Sequence, residues 1–244
     1  MNYHLVVGYG EIGKAIKEIF SPVIHHEDWG GNVFVHDPEK KYDAGLKGHP
    51  YTSLIMHICF PYSENFIVEV KKYQRRFKPK YTIIHSTVPV GTSRKCGAVF
   101  HPIIGQHPYL DKSILTFVQF FGGKNSDIVS EYFKRVGCRV RVYDTAESLE
   151  LGKLSLTTQY ALNIEYVKDF KYQCFKYSVN FTEAYTSLVE AYNEGYLKLG
   201  YPEYKLPILN PIIKKQGGHC TIPNCDLWET EFTEFIKKMN NLYE

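Results

Sequence analysis

The chain has 244 residues, room for one or two domains and for a core that needs no disulfide or metal staples. With 44% hydrophobic and 23% charged residues it reads as a folded protein, not a disordered one. A net charge of +3, with Lys and Arg dispersed among acids, leaves no footprint for nucleic acid, and no apolar run approaches the ~18 residues of a membrane span. The start, Met1-Asn2-Tyr3-His4, enters a strand-like run without the layout of a secretion leader. Six cysteines, at 59, 96, 138, 174, 220 and 225, form no CxxC, the pattern of reduced thiols in a cytoplasmic protein. The aromatic content of 15%, with 20 Tyr, is high and is assigned to a well-filled core.

In chain order, Tyr3 to Val7 reads as a strand ending at Gly8, and Glu11 to Phe20 has helical spacing. Asn32 to His36 is a second strand, closed by Asp37-Pro38. Ser53 to Phe60, apolar and bounded by Pro61, has the look of a buried parallel strand. Ser63 to Phe77 is an amphipathic helix with a basic end at Lys71, Lys72, Arg75 and Arg76. Tyr81 to His85, Ala98 to Ile103, Thr116 to Phe121 and Arg139 to Tyr143 are further strands. Ser126 to Val136 is a helix, opened by Asn125-Ser126-Asp127 as capping sequence and closed by Gly137. This alternation predicts an α/β fold with a Rossmann-type, doubly wound parallel sheet. From Ala146 the pattern changes. A long helix to Tyr177 is followed by a turn at Asn180-Phe181-Thr182, a helix from Glu183 to Leu199, a Pro- and Gly-rich loop from Leu206 to Cys225, and a last helix from Asp226 to Leu242. The boundary falls near 144, giving a sheet domain at 1–144 and a small all-helical domain at 145–244.

Val6-Val7-Gly8-Tyr9-Gly10-Glu11-Ile12-Gly13 is a G-x-G-x-x-G between a strand and a helix. Gly8 makes the tight turn, Gly10 lets the backbone approach a pyrophosphate, and Gly13 lets the helix pack on the strand, while Tyr9, Glu11 and Ile12 offer backbone at the helix start. Asp37, ending the second strand, is placed to accept the adenosine ribose hydroxyls, which favours NAD over NADP; its other reading is the start of the Asp37-Pro38 turn. His36 beside it reads as structural. Ligands of such sheets sit at the carboxyl ends of the strands, so Phe60, Pro61 and Ser86 are placed toward the nicotinamide half, although Pro61 and Pro89 also serve as plain strand punctuation.

Three strings in order carry a resemblance: Ser86-Thr87-Val88-Pro89-Val90-Gly91-Thr92, Glu150-Leu151-Gly152-Lys153-Leu154 and Gly217-Gly218-His219-Cys220. Together with the glycine loop they resemble the UDP-glucose/GDP-mannose dehydrogenases, relatives of 6-phosphogluconate dehydrogenase. The resemblance implies oxidation of a primary alcohol to an acid with NAD. Cys220 would be the nucleophile, Lys153 would stabilise the oxyanion, and Thr87 would hold a water or the substrate hydroxyl. It also implies a small-molecule substrate, anionic or a sugar derivative, held between the domains, and a homodimer built on the long helix. Lys214 and Lys215 hint at an anionic ligand and read equally as a solvated loop. Cys225 has no companions at zinc spacing, so no metal is expected.

The chain also departs from that pattern. Thr157 stands where the family has Asn, and Asn224 stands where it has Asp, so a base is missing beside the nucleophile. The family's acid-bearing P-E-F-x-x-E-G stretch reads His101-Pro102-Ile103-Ile104-Gly105-Gln106-His107-Pro108, and its C-terminal nucleotide-sugar domain has no counterpart in the 244 residues. His101-Pro102-Ile103-Ile104-Gly105 is similar instead to the H-P-[IM]-x-G of prephenate dehydrogenases, which implies a substrate contact for His101 and leaves His107 a weaker candidate. Three readings stay open: a four-electron dehydrogenase using Cys220, a single-step hydroxyacid or prephenate-like dehydrogenase without covalent catalysis, and a protein that binds NAD without turnover. The candidate catalytic set is Cys220, Lys153, Thr87, His101 and Asn224.

Overall fold

The computed structural model describes residues 3–21, 33–44, 54–218 and 220–243. Asn32 and Ser53 of the predicted strands and His219 of the Gly-Gly-His-Cys string lie outside them. The chain divides into two compact units, Met1–Lys153 and Leu154–Glu244.

The first unit is built on eight strands: β1 (Tyr3–Val7), β2 (Val33–Asp37), β3 (Tyr42–Ala44), β4 (Leu54–Ile58), β5 (Tyr81–Ile84), β6 (Val99–Phe100), β7 (Gln119–Gly122) and β8 (Val140–Tyr143). Their order in one sheet is β3-β2-β1-β4-β5-β6-β7-β8. The run β2-β1-β4-β5-β6 is parallel, with the order reversing between β1 and β4, the place where doubly wound sheets hold ligands. The strand period of two sorts side chains to opposite faces. Val6 and Ile55 join α1 (Glu11–Phe20) and α5 (Ser126–Arg135) in one core layer through Ile16, Phe20, Val129 and Phe133. Leu5, Val7, Met56 and Ile58 join α2 (Phe66–Phe77) and α3 (Thr92–Cys96) in the other through Phe66, Val70, Phe77 and Cys96. A fully buried side chain such as Phe66 contributes about 1.5–3 kcal/mol, so these two layers hold the sheet between its helices.

The sheet is mostly parallel as expected, with β3 antiparallel beside β2 and β7 antiparallel to β6. Other expectations are corrected. The predicted strand from Thr116 begins only at Gln119, because Thr116 closes a helix, α4 (Leu110–Thr116), that sequence spacing did not reveal. Asn125 adopts a left-handed conformation (φ 68°) and its side chain does not cap α5, so the first turn keeps only Asp127 as its acidic residue.

The division into compact units follows Lys153, and local packing accounts for it. α6 (Glu147–Lys176) starts against the sheet unit: Ala146 is buried in the second core layer, where a Cβ on Gly122 would come within 2.4 Å of the Thr145 carbonyl. Arg94 Nε donates to Glu147 Oε1 at 2.6 Å.

The second unit continues α6 and adds a π-helical turn (Thr182–Ser187), α7 (Leu188–Lys198), a 3-10 turn (Pro202–Tyr204), α8 (Ile222–Cys225) and α9 (Glu231–Asn240). The last helix starts later than predicted because Thr230 and Thr233 form a reciprocal capping box, each hydroxyl accepting the other residue's backbone N–H. Its apolar clusters are small: Ala161 with Cys225 and Ile236, and Val167 with Tyr185 and Val189. Much of its aromatic content, including Tyr160, Tyr166, Tyr172, Phe175 and Tyr177, is exposed, so the high tyrosine count does not serve only a filled core. Among the described residues no helix is long and apolar enough to cross a membrane.

Candidate dinucleotide site

Close packing fixes two of the three glycines after β1. Gly8 has φ +90°, and a Cβ on it would meet Phe60 N at 2.7 Å. A Cβ on Gly13 would stand 2.1 Å from the Gly8 carbonyl, so α1 packs on the loop only with glycine there. Gly10 has nothing within 4 Å of its absent Cβ, so open space lies where a pyrophosphate would approach. No side chain caps α1, which leaves its first N–H groups available to an anion. Glu11 is exposed and turned to Lys14 at 3.1 Å, which holds its carboxyl below the usual range, with His107 at 3.8 Å adding to this. Ile12 packs on the first core layer.

Asp37 is buried at the end of β2, with each carboxylate oxygen accepting a backbone N–H. Oδ1 accepts the Lys40 N–H at 3.1 Å and shapes the turn, while Oδ2 accepts the Tyr9 N–H at 2.7 Å. Lys40 Nζ donates to the Tyr9 carbonyl at 2.5 Å, so the Tyr9 residue is held at both its N–H and its C=O. A carboxylate oxygen has two lone pairs, so each Asp37 oxygen keeps further acceptor capacity. His36 is structural, bonded to Asp43 at 3.1 Å and packed on Tyr73 and Phe77.

The neighbouring strand ends close around this loop. Gly8 N donates to His36 O, Cys59 N to Val7 O and His85 N to Ile58 O. The Ser86 hydroxyl donates to Phe60 O at 2.6 Å. Phe60 is half-buried against Phe66, Pro61 is exposed, and Thr87 is half-buried next to Ser86. Lys153 is partly buried and its ammonium donates to Ile103 O at 2.7 Å, just past β6.

His101 lies in the interior of the first unit. It is fully buried, its Nδ1 bonded to His85 at 2.8 Å and its Nε2 to Gln119 at 2.9 Å, so neither nitrogen is left for a substrate. Its burial holds the imidazole down to about 3, a neutral ring at ordinary pH. Sequence reasoning also passed over the role of Glu150. Fully buried, it accepts Gly91 N–H at 2.5 Å and Ser93 N–H at 2.8 Å, and so joins two of the three strings that carried the resemblance.

In the second unit the Cys220 thiol is free and exposed. Asn224 is buried, and its amide nitrogen donates to Cys220 O at 2.7 Å, so it holds the backbone of that residue. Thr157 donates to Leu154 O, and Lys214 and Lys215 are exposed. Cys225 is buried, which pushes its thiol up. Among the described residues no group of three or more His, Cys, Asp or Glu is placed to hold a metal.

By sequence, no protein-family model matches the chain and no curated protein does. Solved structures match over nearly all of it. The UDP-glucose dehydrogenase of Pyrobaculum islandicum aligns with a TM-score of 0.71 at 14% identity, covering 99% of this chain and 68% of that one. The UDP-D-ManNAc dehydrogenase of Pyrococcus horikoshii aligns with 0.66 at 17%, covering 98% and 68%. The chain has the UDP-sugar dehydrogenase fold. The remaining third of those enzymes has no counterpart in these 244 residues. The same fold also appears in the 3-hydroxyisobutyrate dehydrogenase of Mycobacterium tuberculosis, with a TM-score of 0.66 at 11% identity, covering 99% of this chain and 93% of that one.

Proposed function

We propose that the chain is an NAD-dependent dehydrogenase acting on a CH–OH group of a small-molecule substrate. The observation that carries this reading is the glycine loop, with two glycines forced by close packing and a third facing open space above an uncapped helix start. The amino end of α1 would hold the pyrophosphate and Asp37 the adenosine ribose, its charge disfavouring the 2′-phosphate of NADP. Phe60, Pro61 and Ser86 would border the nicotinamide half. NAD, when bound, supplies the hydride acceptor. The Lys153 ammonium would stabilise the substrate oxygen as its proton leaves, and Thr87 would orient the hydroxyl by a hydrogen bond. Where oxidation proceeds to an acid, the Cys220 thiolate would add to the carbonyl carbon, with the oxygen taking up a proton. All six cysteines are free, in keeping with a reducing cytoplasm. The exposed aromatic side chains of α6 support a homodimer through the helical unit.

A second reading has support of its own. Asn224 has no basic group and its amide is engaged on Cys220 O, while the fold also matches a hydroxyisobutyrate dehydrogenase at full length. In that reading oxidation stops after one hydride and Cys220 is a bystander. Thermal unfolding with NAD and NADH tests the cofactor: at 100-fold excess over Kd a stabilisation of about 2.7 kcal/mol is expected, and none would sink all dehydrogenase readings and the NAD-binding protein as well. Cys220→Ser then separates the two chemistries. Full turnover to an aldehyde or ketone favours the single step, and loss of acid formation favours the thioester. NAD binding without turnover of sugar nucleotides or hydroxyacids leaves the non-catalytic binder.

A further inference from the structure

Four histidines far apart in sequence meet in one row inside the first unit. His4 lies in β1, His57 in β4, His85 directly after β5 and His101 directly after β6, and the row ends on Gln119 of β7. His4 Nδ1 stands 2.9 Å from His57 Nε2, His57 Nδ1 2.9 Å from His85 Nε2, His85 Nδ1 2.8 Å from His101 Nδ1, and His101 Nε2 2.9 Å from Gln119 Oε1. All five side chains are buried.

The direction of the row follows from its far end. Gln119 Nε2 donates to Phe117 O at 3.0 Å, so Oε1 faces His101 and His101 carries its proton on Nε2. His101 Nδ1 then accepts from His85 Nδ1–H, His85 Nε2 accepts from His57 Nδ1–H, and His57 Nε2 accepts from His4 Nδ1–H. One set of tautomers satisfies every contact with every ring neutral. One further proton can be passed along the row to His4 Nε2 with every contact kept, but a second sets two N–H groups against each other across less than 3 Å.

The described surroundings of the row are mostly aromatic. α1 contributes Phe20, stacked on His4 at 4.1 Å. α5 contributes Phe133 against His57, His85 and His101, and Tyr132 edge-on to His4. β7 contributes Phe121, stacked on His101 at 4.4 Å. Tyr132 is the titratable neighbour, and the Arg135 guanidinium lies over its ring at 5.4 Å. Among the described residues no carboxylate bonds to any of the four rings. Burial holds His4 and His101 down to about 3, and burial with mutual repulsion holds His57 and His85 well below the ordinary value.

We propose that this row, which crosses the sheet from the amino end of β1 to the carboxyl ends of β5 and β6, is an acid-operated lock. Neutral, it ties β1, β4, β5, β6 and β7 together and fixes the segments leading to Thr87 and to Ile103, whose carbonyl holds Lys153. Protonated, it releases them. The lock stands independently of the cofactor reading. Above about pH 6.5 the rings are neutral in both folded and unfolded chains, and the row adds no pH dependence. Below it, the unfolded chain binds protons that the folded row refuses, so stability falls with pH. Each ring raises the unfolding constant about tenfold between pH 7.5 and 5.5, and four together roughly 10⁴-fold.

Nitrogen-15 NMR of the intact, labelled chain at pH 7.5 should show Nδ1–H on His4, His57 and His85 and Nε2–H on His101. A charged ring or another tautomer at any of the four overturns the row. Urea unfolding at pH 7.5 and 5.5 should give the ~10⁴-fold change for the wild type and ~10³-fold for His4→Phe, whose ring ends the row and stacks on Phe20. An equal change in both overturns the lock. Gln119→Met should speed hydrogen exchange at the His85 and His101 amides at least ~10-fold relative to amides of β1, whereas a uniform change or none overturns the tie between strands. If either variant fails to fold, the wild-type tautomers and the wild-type pH dependence still decide.

Discussion

A buried carboxylate needs donors, and Glu150 finds them in backbone rather than in a side chain. Gly91 opens α3 at φ +86°, a conformation that favours glycine, and the carboxylate caps the turn that follows. Charge-assisted bonds of this kind contribute more than neutral ones. Glu150→Gln should therefore lower stability by about 1–3 kcal/mol in urea unfolding, with Gly91 or Ser93 losing part of its partner. A change within about 0.5 kcal/mol would show that the cap is not energetic. The same contact explains what was legible at this scale. The strings around Gly91 and Glu150 stood out as side-chain patterns, but their bond did not, since backbone N–H groups leave no signature in sequence. His57 hid similarly, as one polar residue inside the apolar run Leu54 to Ile58, and the partners of His101 lay 16 and 18 residues away along the chain.

At the scale of elements, β1 and α1 could be bounded from sequence because a glycine loop punctuates strand and helix on either side. The direction of β7 could not. A helix separates β6 from β7 just as helices separate the parallel pairs, and element order does not say on which edge the chain re-enters. α4 escaped because its apolar end, Ile114-Leu115, runs toward the apolar strand from Gln119 and only the backbone turns between them. In α6 the buried pair Lys168 and Glu165, at 2.9 Å, is joined by Gln216 Nε2 on the same Glu165 oxygen. Removing one partner leaves a buried charge without its counter-charge. Lys168→Met should cost about 3–5 kcal/mol, while the double change with Glu165→Leu should cost less than that single one. A double-mutant cycle in urea reads both, and additive losses would mean that the two charges do not interact.

At the scale of the whole molecule, the sequence pattern changes after Asp144, and the chain divides into two compact units nine residues further along, after Lys153. The change of pattern marks where strands stop, whereas the division marks where packing changes hands, and Glu147 and Glu150 belong to the sheet unit despite their helical backbone. The division thus falls inside one unbroken helix, Glu147 to Lys176. Most domain pairs are joined by a flexible segment that an enzyme can thread and cleave. Here a protease meets a hydrogen-bonded backbone at the joint, so limited digestion should yield no early fragment ending between 144 and 160. An early cut in that window would show the helix to be frayed there. The sheet unit and the helical unit would be degraded from their own loops, each still carrying its share of the shared helix.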